Sequence, residues 1–248
     1  MKVLLRLLGT MLRPISGRIC KISREYLSRL LLFDIVMGFV DDCRIEGCYL
    51  EFGSAGGGSL TDAFYAARRY RRLKAMLFFV FDSFEGLPEP TGLDADEFRR
   101  YSKGDYACNL DRYRQNIRNR GVDLDRVICI PGWYADTLNE ELKRKLPIKK
   151  ASVVWIDCDL YESTVPVLEF ITDYIQDGTV LIFDDWFSYK GRLDRGEARA
   201  FKEWLARNPS IQATEYHKVD RTMMSFIMQV GRLTAGEPVA IEAGDSAS

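Results

Sequence analysis

Histidine is almost missing from this 248-residue chain: His217 stands alone. It has no cysteine or carboxylate motif beside it. The six cysteines, Cys20, Cys43, Cys48, Cys108, Cys129 and Cys158, form no Cys-x-x-Cys pair and no Cys/His cluster with zinc spacing. Structural zinc chemistry is therefore unsupported, and His217 reads as an ordinary hairpin residue. An excess of one charge is missing too. The 35 Lys and Arg against 36 Asp and Glu leave a net charge of -1, so no global field draws the chain to nucleic acid. There is no long uncharged apolar run. Arg6 interrupts the N-terminal one and no small-residue cleavage site follows, which supports neither a membrane span nor a signal peptide.

What is present is a globular composition, 47% hydrophobic and 29% charged, without repeats or low-complexity linkers and sufficient for one domain. Residues 1–45 read as a basic helical segment, 46–232 as the domain and 233–248, small and polar, as a disordered tail. Within the first thirty residues Lys2, Arg6, Arg13, Arg18, Lys21, Arg24 and Arg29 face only Glu25. An amphipathic helix that packs on the core or on a second subunit is expected there, with contact to a lipid surface as the alternative. Cys48, Cys129 and Cys158 sit in apolar runs and read as buried thiols of a reducing, cytoplasmic compartment.

Between the ends, short β-rich runs alternate with amphipathic segments. Strands are expected at Cys48–Phe52, Met76–Phe81, Val127–Ile130, Ser152–Ile156 and Val180–Phe183, and helices at Leu60–Arg72, Leu110–Asn119, Asp136–Arg144, Val165–Ile175 and Glu197–Ala206. Arg68, Arg69, Arg71 and Arg72 close the first helix, where the dipole favours cations, and read as a solvated cap. Two runs separated only by "DRT", Ala213–Val219 and Met223–Val230, form a hairpin. The order predicts an α/β doubly wound, Rossmann-like sheet of the class I methyltransferase type, mostly parallel with a C-terminal antiparallel hairpin. Its ligands belong at the C-terminal ends of the strands.

Three stretches there carry chemistry. "YLEFGSAGGGS", residues 49–59, runs a strand into a glycine turn and a helix, where close backbone approach and free amides favour a ligand. It lacks the dinucleotide glycine spacing. Glu51, two residues before Gly53, suits an S-adenosylmethionine binder instead. Asp82 ends the next strand and can accept ribose hydroxyls or cap the turn. The Pro/Gly-rich "EGLPEPTGLDAD" after it reads as a lid. Asp157 and Asp159 end one strand, and Asp184 and Asp185 the next. If the first strand persists, Asp157 and Asp159 share a side and Cys158 points away. Four carboxylates on one rim call for a hard divalent cation, with Mg²⁺ the usual candidate. The competing account is that two of the four only cap helices or turns. Tyr161 and Trp186 line an acceptor pocket or belong to the core.

With "EFGSAGGGS", "FDSFEGLPEP", "GWYADTL", "WIDCDLYEST" and "FDDW", residues 46 to about 206 resemble the macrocin O-methyltransferase family of S-adenosylmethionine- and Mg²⁺-dependent sugar O-methyltransferases. The resemblance implies Asp157, Asp184 and Asp185 as metal ligands and Asp159 as general base. It implies a cofactor set of Glu51, Gly53, Ser54, Ser59, Asp82, Ser83, Trp133, Ala135 and Asp157. It also implies a homo-oligomer and a small-molecule acceptor, a saccharide or glycoside. Ala55 and Gly56 stand where several members carry larger residues, which makes this turn more open. The alternatives are a catechol-type O-methyltransferase, a nucleotide-dependent oxidoreductase or epimerase that leaves the aspartates without a purpose, and a non-enzymatic cofactor-binding or lipid-surface protein.

Overall fold

Seven strands form one sheet in the order β3-β2-β1-β4-β5-β7-β6 in the computed structural model, which describes residues 26–95 and 100–231. The strands are β1 (Cys48–Phe52), β2 (Phe78–Asp82), β3 (Val127–Pro131), β4 (Ala151–Ile156), β5 (Val180–Phe183), β6 (Ile211–Val219) and β7 (Met223–Val230). The first five are parallel; β7 lies antiparallel to β5, and β6 to β7. The chain therefore reverses direction across the sheet between β1 and β4, the place where a doubly wound fold leaves a crevice above its strand ends.

The helices are α1 (26–42 as far as described), α2 (Gly58–Arg69), α3 (Leu110–Asn119), α4 (Tyr134–Thr137), α5 (Glu140–Lys145), α6 (Tyr161–Ile171) and α7 (Gly196–Arg207). Alternate strand residues feed two cores. Leu50, Phe52, Phe81, Val154, Ile156 and Phe183 pack with α6 and α7, while Tyr49, Phe78, Val80, Val153, Trp155 and Ile182 pack with α1, α2 and α3. Both faces are covered, so the central strands read as continuous apolar runs rather than alternating ones.

Several boundaries differ from the sequence reading for local reasons. The segment expected as one helix at Asp136–Arg144 is two: Asn139 breaks it and caps α5 by accepting the Leu142 amide at 2.9 Å. α6 starts at Tyr161 rather than Val165 and ends at Ile171 in a 3₁₀ turn. Leu160, its N-cap, contributes no side-chain bond. Instead the Asp94 carboxylate, far away in sequence, accepts the Tyr161 and Glu162 amides at 2.7 and 2.9 Å. α2 stops at Arg69, and Arg71–Leu73 form a 3₁₀ turn.

Residues 26–42 pack on this chain's own core, with Leu32, Phe33, Val36, Met37 and Val40 buried. Arg69 and Arg72 of the basic cap are not merely solvated; they pair with Asp34 at 2.8 Å and Asp41 at 3.3 Å on α1. The opposite face of α1 exposes Leu27, Leu31 and Ile35. The expectations for residues 1–25 and 233–248, lipid contact and a disordered tail, lie outside the described residues. Among the described residues no helix is long and apolar enough to cross a membrane. Of the three cysteines read as buried, Cys158 is so, whereas Cys48 and Cys129 are only half-buried, Cys129 because β3 is the edge of the sheet.

Candidate active site

A cavity of about 1130 Å³ opens above the C-terminal ends of β1, β2, β4 and β5. One end is the glycine turn. Gly53 leaves β1 at φ +81°, and a Cβ there would run into the Asp157 carbonyl oxygen. Only glycine combines that dihedral with so close an approach of two backbones. The Asp157 amide in turn donates to the Phe52 carbonyl at 2.8 Å. The first acidic residue and the glycine turn are thus locked together before any ligand arrives.

Asp82 closes this end. Its Oδ2 accepts the Ser54 amide at 2.8 Å and its Oδ1 the Phe84 amide at 2.7 Å. Burial pushes its pKa up, opposed by the amides of Phe84, Ser54 and Ala55. Gly53, Ser54, Asp82, Ser83, Trp133, Ala135 and Asp157 all line the cavity. Glu51 and Ser59 do not. Glu51 is fully buried beneath the turn, where it accepts hydroxyl bonds from Tyr49 at 2.5 Å, from Ser59 at 2.9 Å and from Ser54. Burial raises its pKa to about 7 against the pull of those hydroxyls and of Arg29. From there Glu51 and Ser59 act on a ligand only through Ser54 and the turn they hold.

Beside the turn, beginning with Asp157, stand the aspartates. Asp157, Asp184 and Asp185 each offer a carboxylate oxygen, and the three oxygens lie within 4.8 Å of one another. Burial and then mutual repulsion push Asp157 far up, with Asp184 its largest charged neighbour; Asp184 rises to about 7 by burial and Asp185, opposed by Arg29. Such a set, three carboxylates offering only oxygen, fits a hard divalent ion.

Asp159 joins them by another route than strand alternation. β4 ends at Ile156, and Asp159 adopts a left-handed conformation at φ 59°. It is buried beside Asp185, and burial followed by that neighbour raises its pKa. Cys158 does turn inward, 2% exposed. Trp186 packs in the core against Phe226 and Phe183 at 4.9 and 5.2 Å, and the Tyr161 hydroxyl donates to Glu203 at 2.6 Å. Neither lines the cavity, so these aromatic residues support the walls instead of facing an acceptor. His217 sits at the bulge of the hairpin, its amide donating to Ser225 Oγ at 3.0 Å, away from the cavity lining.

Four contributors are invisible to motif reading. Arg29 of α1 pairs with Asp62 at 2.7 Å and lines the cavity close to Asp184. Tyr101 donates to Asp185 Oδ1 at 2.9 Å, and Arg100 stands 3.8 Å from the same carboxylate. Glu197, from α7, bonds the backbone of both acidic loops. A basic N-terminal segment and a scatter of loop and helix residues carry no spacing that marks them.

Comparisons with known proteins show what this chain is similar to. The family model for macrocin O-methyltransferase (TylF) matches residues 27–222. An 8-demethyl-8-(2,3-dimethoxy-alpha-L-rhamnosyl)-tetracenomycin-C 4'-O-methyltransferase of Streptomyces olivaceus is 33% identical over 147 residues, 57% of this chain and 54% of that protein. A mycinamicin III 3''-O-methyltransferase of Micromonospora griseorubida is 28% identical over 148 residues, 57% of this chain and 56% of that one. Each match thus spans little more than half of the relative. Among solved structures, the O-methyltransferase NovP superposes with a TM-score of 0.63 at 24% identity, covering 83% of this chain and 80% of that one. The calicheamicin methyltransferase CalS11 gives 0.66 at 22%, covering 82% and 80%. The fold is that of the class I O-methyltransferases, and the chain belongs to the macrocin O-methyltransferase family.

Proposed function

We propose that this protein is an S-adenosylmethionine- and Mg²⁺-dependent O-methyltransferase that acts on a hydroxyl of a sugar or glycosylated natural product. The observation that carries the reading is one cavity lined by the glycine turn, Asp82 and the three aspartates Asp157, Asp184 and Asp185. The Streptomyces olivaceus relative described above, named for a rhamnosyl-tetracenomycin C, supports the acceptor class.

S-adenosylmethionine supplies the methyl group. The open backbone at Gly53 and Ser54 and the side chains of Asp82, Trp133 and Ala135 would bind it. The Asp82 carboxylate offers about four acceptor sites, more than the Ser54, Phe84 and Ala55 amides occupy, which leaves one for a ribose hydroxyl. Asp157, Asp184 and Asp185 would hold Mg²⁺, which when bound lowers the pKa of an acceptor hydroxyl and orients it. Asp159 takes the hydroxyl proton on its carboxylate. The walls formed by Gly86, Leu87 and Pro88 and by Phe187, Ser188 and Lys190 limit water and align the acceptor, so that positioning supplies much of the rate. A cytoplasmic location, with free thiols at Cys43, Cys48, Cys108, Cys129 and Cys158, and self-association through the exposed stripe of α1 belong to the same proposal.

Calorimetric titration with S-adenosylmethionine, with and without Mg²⁺, tests the reading, followed by methyl-transfer assays on glycosides with adjacent hydroxyls. Micromolar binding and turnover are expected. Asp159→Asn should keep both binding events and lose turnover. A folded protein that binds no S-adenosylmethionine would end the proposal.

A further inference from the structure

Glu197 is the second residue of α7 and has no solvent exposure. Its two carboxylate oxygens point at different loops. Oε1 accepts the Cys158 amide at 3.0 Å, on the turn after β4, and Oε2 accepts the Asp185 amide at 3.0 Å, on the turn after β5. The ladder between these strands runs through Ile156↔Phe183 and a last bond from the Asp184 amide to the Ile156 carbonyl at 3.0 Å. Beyond it Glu197 bonds the backbone of both turns at once, with the Tyr189 hydroxyl on the Asp159 carbonyl as a second link between them.

The chemistry demands a carboxylate. Two backbone N–H groups approach the two ends of the side chain, and a glutamine could accept only one of them, since its other terminus is itself a donor. A further buried acid beside Asp157, Asp159, Asp184 and Asp185 is costly. It stands where its two oxygens reach the backbone of both acidic loops. Gly196 permits the approach: at φ +51° its missing side chain leaves room for the Tyr189 ring, whose hydroxyl donates to the Asp159 carbonyl at 3.2 Å.

We propose that Glu197 is a positioning residue of the cation site, holding the loop of Asp157 at a fixed separation from the loop of Asp184 and Asp185 so that their carboxylates are gathered before Mg²⁺ arrives. The inference rests on reading those three aspartates as the Mg²⁺ site. Ligand-orienting groups of this kind typically change metal affinity by about 10–100-fold when removed.

The test uses the full chain and Mg²⁺ alone. Calorimetry gives the affinity, and thermal melts with and without saturating Mg²⁺ give the cation-induced rise in Tm. Glu197→Gln should bind Mg²⁺ at least about tenfold more weakly and show a smaller rise, while S-adenosylmethionine binding without Mg²⁺ stays within about twofold. A residue with only a structural role would lower both melts equally and leave the rise intact, and that result overturns the inference. Should Glu197→Gln fail to fold, Glu197→Asp, which keeps both acceptors one methylene short, is read by the same two measures. Wild-type protein that binds no Mg²⁺ removes the site itself and this inference with it. Wild-type affinity in the variant removes the role of Glu197 alone.

Discussion

The Tyr101 hydroxyl donates to Asp185 Oδ1 at 2.9 Å, across a sequence separation of 84 residues. The loop that leaves β2 is thereby fastened to the acidic end of the cavity, with Arg100 donating to the Ser188 carbonyl at 3.3 Å beside it. Tyr101→Phe keeps the ring, which packs against Tyr189 at 6.0 Å between centroids, and removes the bond. The expected cost is about 1 kcal/mol of stability and a Mg²⁺ affinity reduced by about tenfold, because Asp185 loses one of the donors that orient it. Denaturant unfolding and Mg²⁺ calorimetry measure the two effects. Unchanged affinity would mean that Tyr101 fastens the loop without serving the site.

The glycine turn makes a paired prediction. Gly53→Ala forces a side chain into the Asp157 carbonyl at a left-handed dihedral, so a loss of more than about 3 kcal/mol is expected, from clash and backbone strain together. Gly56→Ala meets only Asn116 Nδ2 at 3.8 Å and should stay within about 1 kcal/mol of wild type, with S-adenosylmethionine affinity retained. Melting temperature and calorimetry on both variants decide. Equal behaviour of the two would show that the contact between Gly53 and Asp157 does not constrain the turn.

Asp94 caps α6 from a distant loop. Asp94→Ala should lose about 1–2 kcal/mol, the usual range for a removed cap. It should also speed protease cleavage between residues 84 and 109, because the cap is one of the loop's attachments. Asp94→Asn keeps one acceptor and should fall between. A cleavage rate identical to wild type in Asp94→Ala would show that the loop is held elsewhere.

Glu51 supplies a pH dependence. Burial raises its pKa to about 7, so the folded state holds a proton that the unfolded chain, titrating near the ordinary carboxylate value, gives up earlier. Its contribution to stability is fully present below about pH 4.5 and is lost as pH rises through about 7. In Glu51→Gln the three hydroxyls can turn to suit an amide, and this share of the decline should vanish. Unfolding free energies of both proteins at pH 5, 6, 7 and 8 test it. Parallel curves would show that Glu51 is ionised throughout.

Much of this molecule could be read before its fold was known. Strand and helix alternate because apolar runs and amphipathic segments alternate, and β1, β5, β7 and α3 fall where local pattern places them. The glycine turn and the acidic pairs follow strands and so reach one rim. The boundaries that moved did so for reasons that local pattern handles poorly: Asn139 interrupts a helix, and Asp94 starts another from 67 residues away. Alternation along β4 did not orient Asp159, because the strand had already ended at Ile156.

The sequence by itself determined the element order, the sheet's parallel body with its antiparallel edge, and which loops are acidic or glycine-rich, since these depend on backbone preferences and on hydrophobic period over a few residues. The tertiary structure alone decided which polar groups meet. It buried Glu51 under the turn rather than in the cavity, sent Trp186 into the core, and brought Arg29, Tyr101 and Glu197 to the aspartates. Those contacts join residues tens of positions apart. Their partners are selected by packing and by the need to satisfy buried charge, and neither leaves a spacing in the chain.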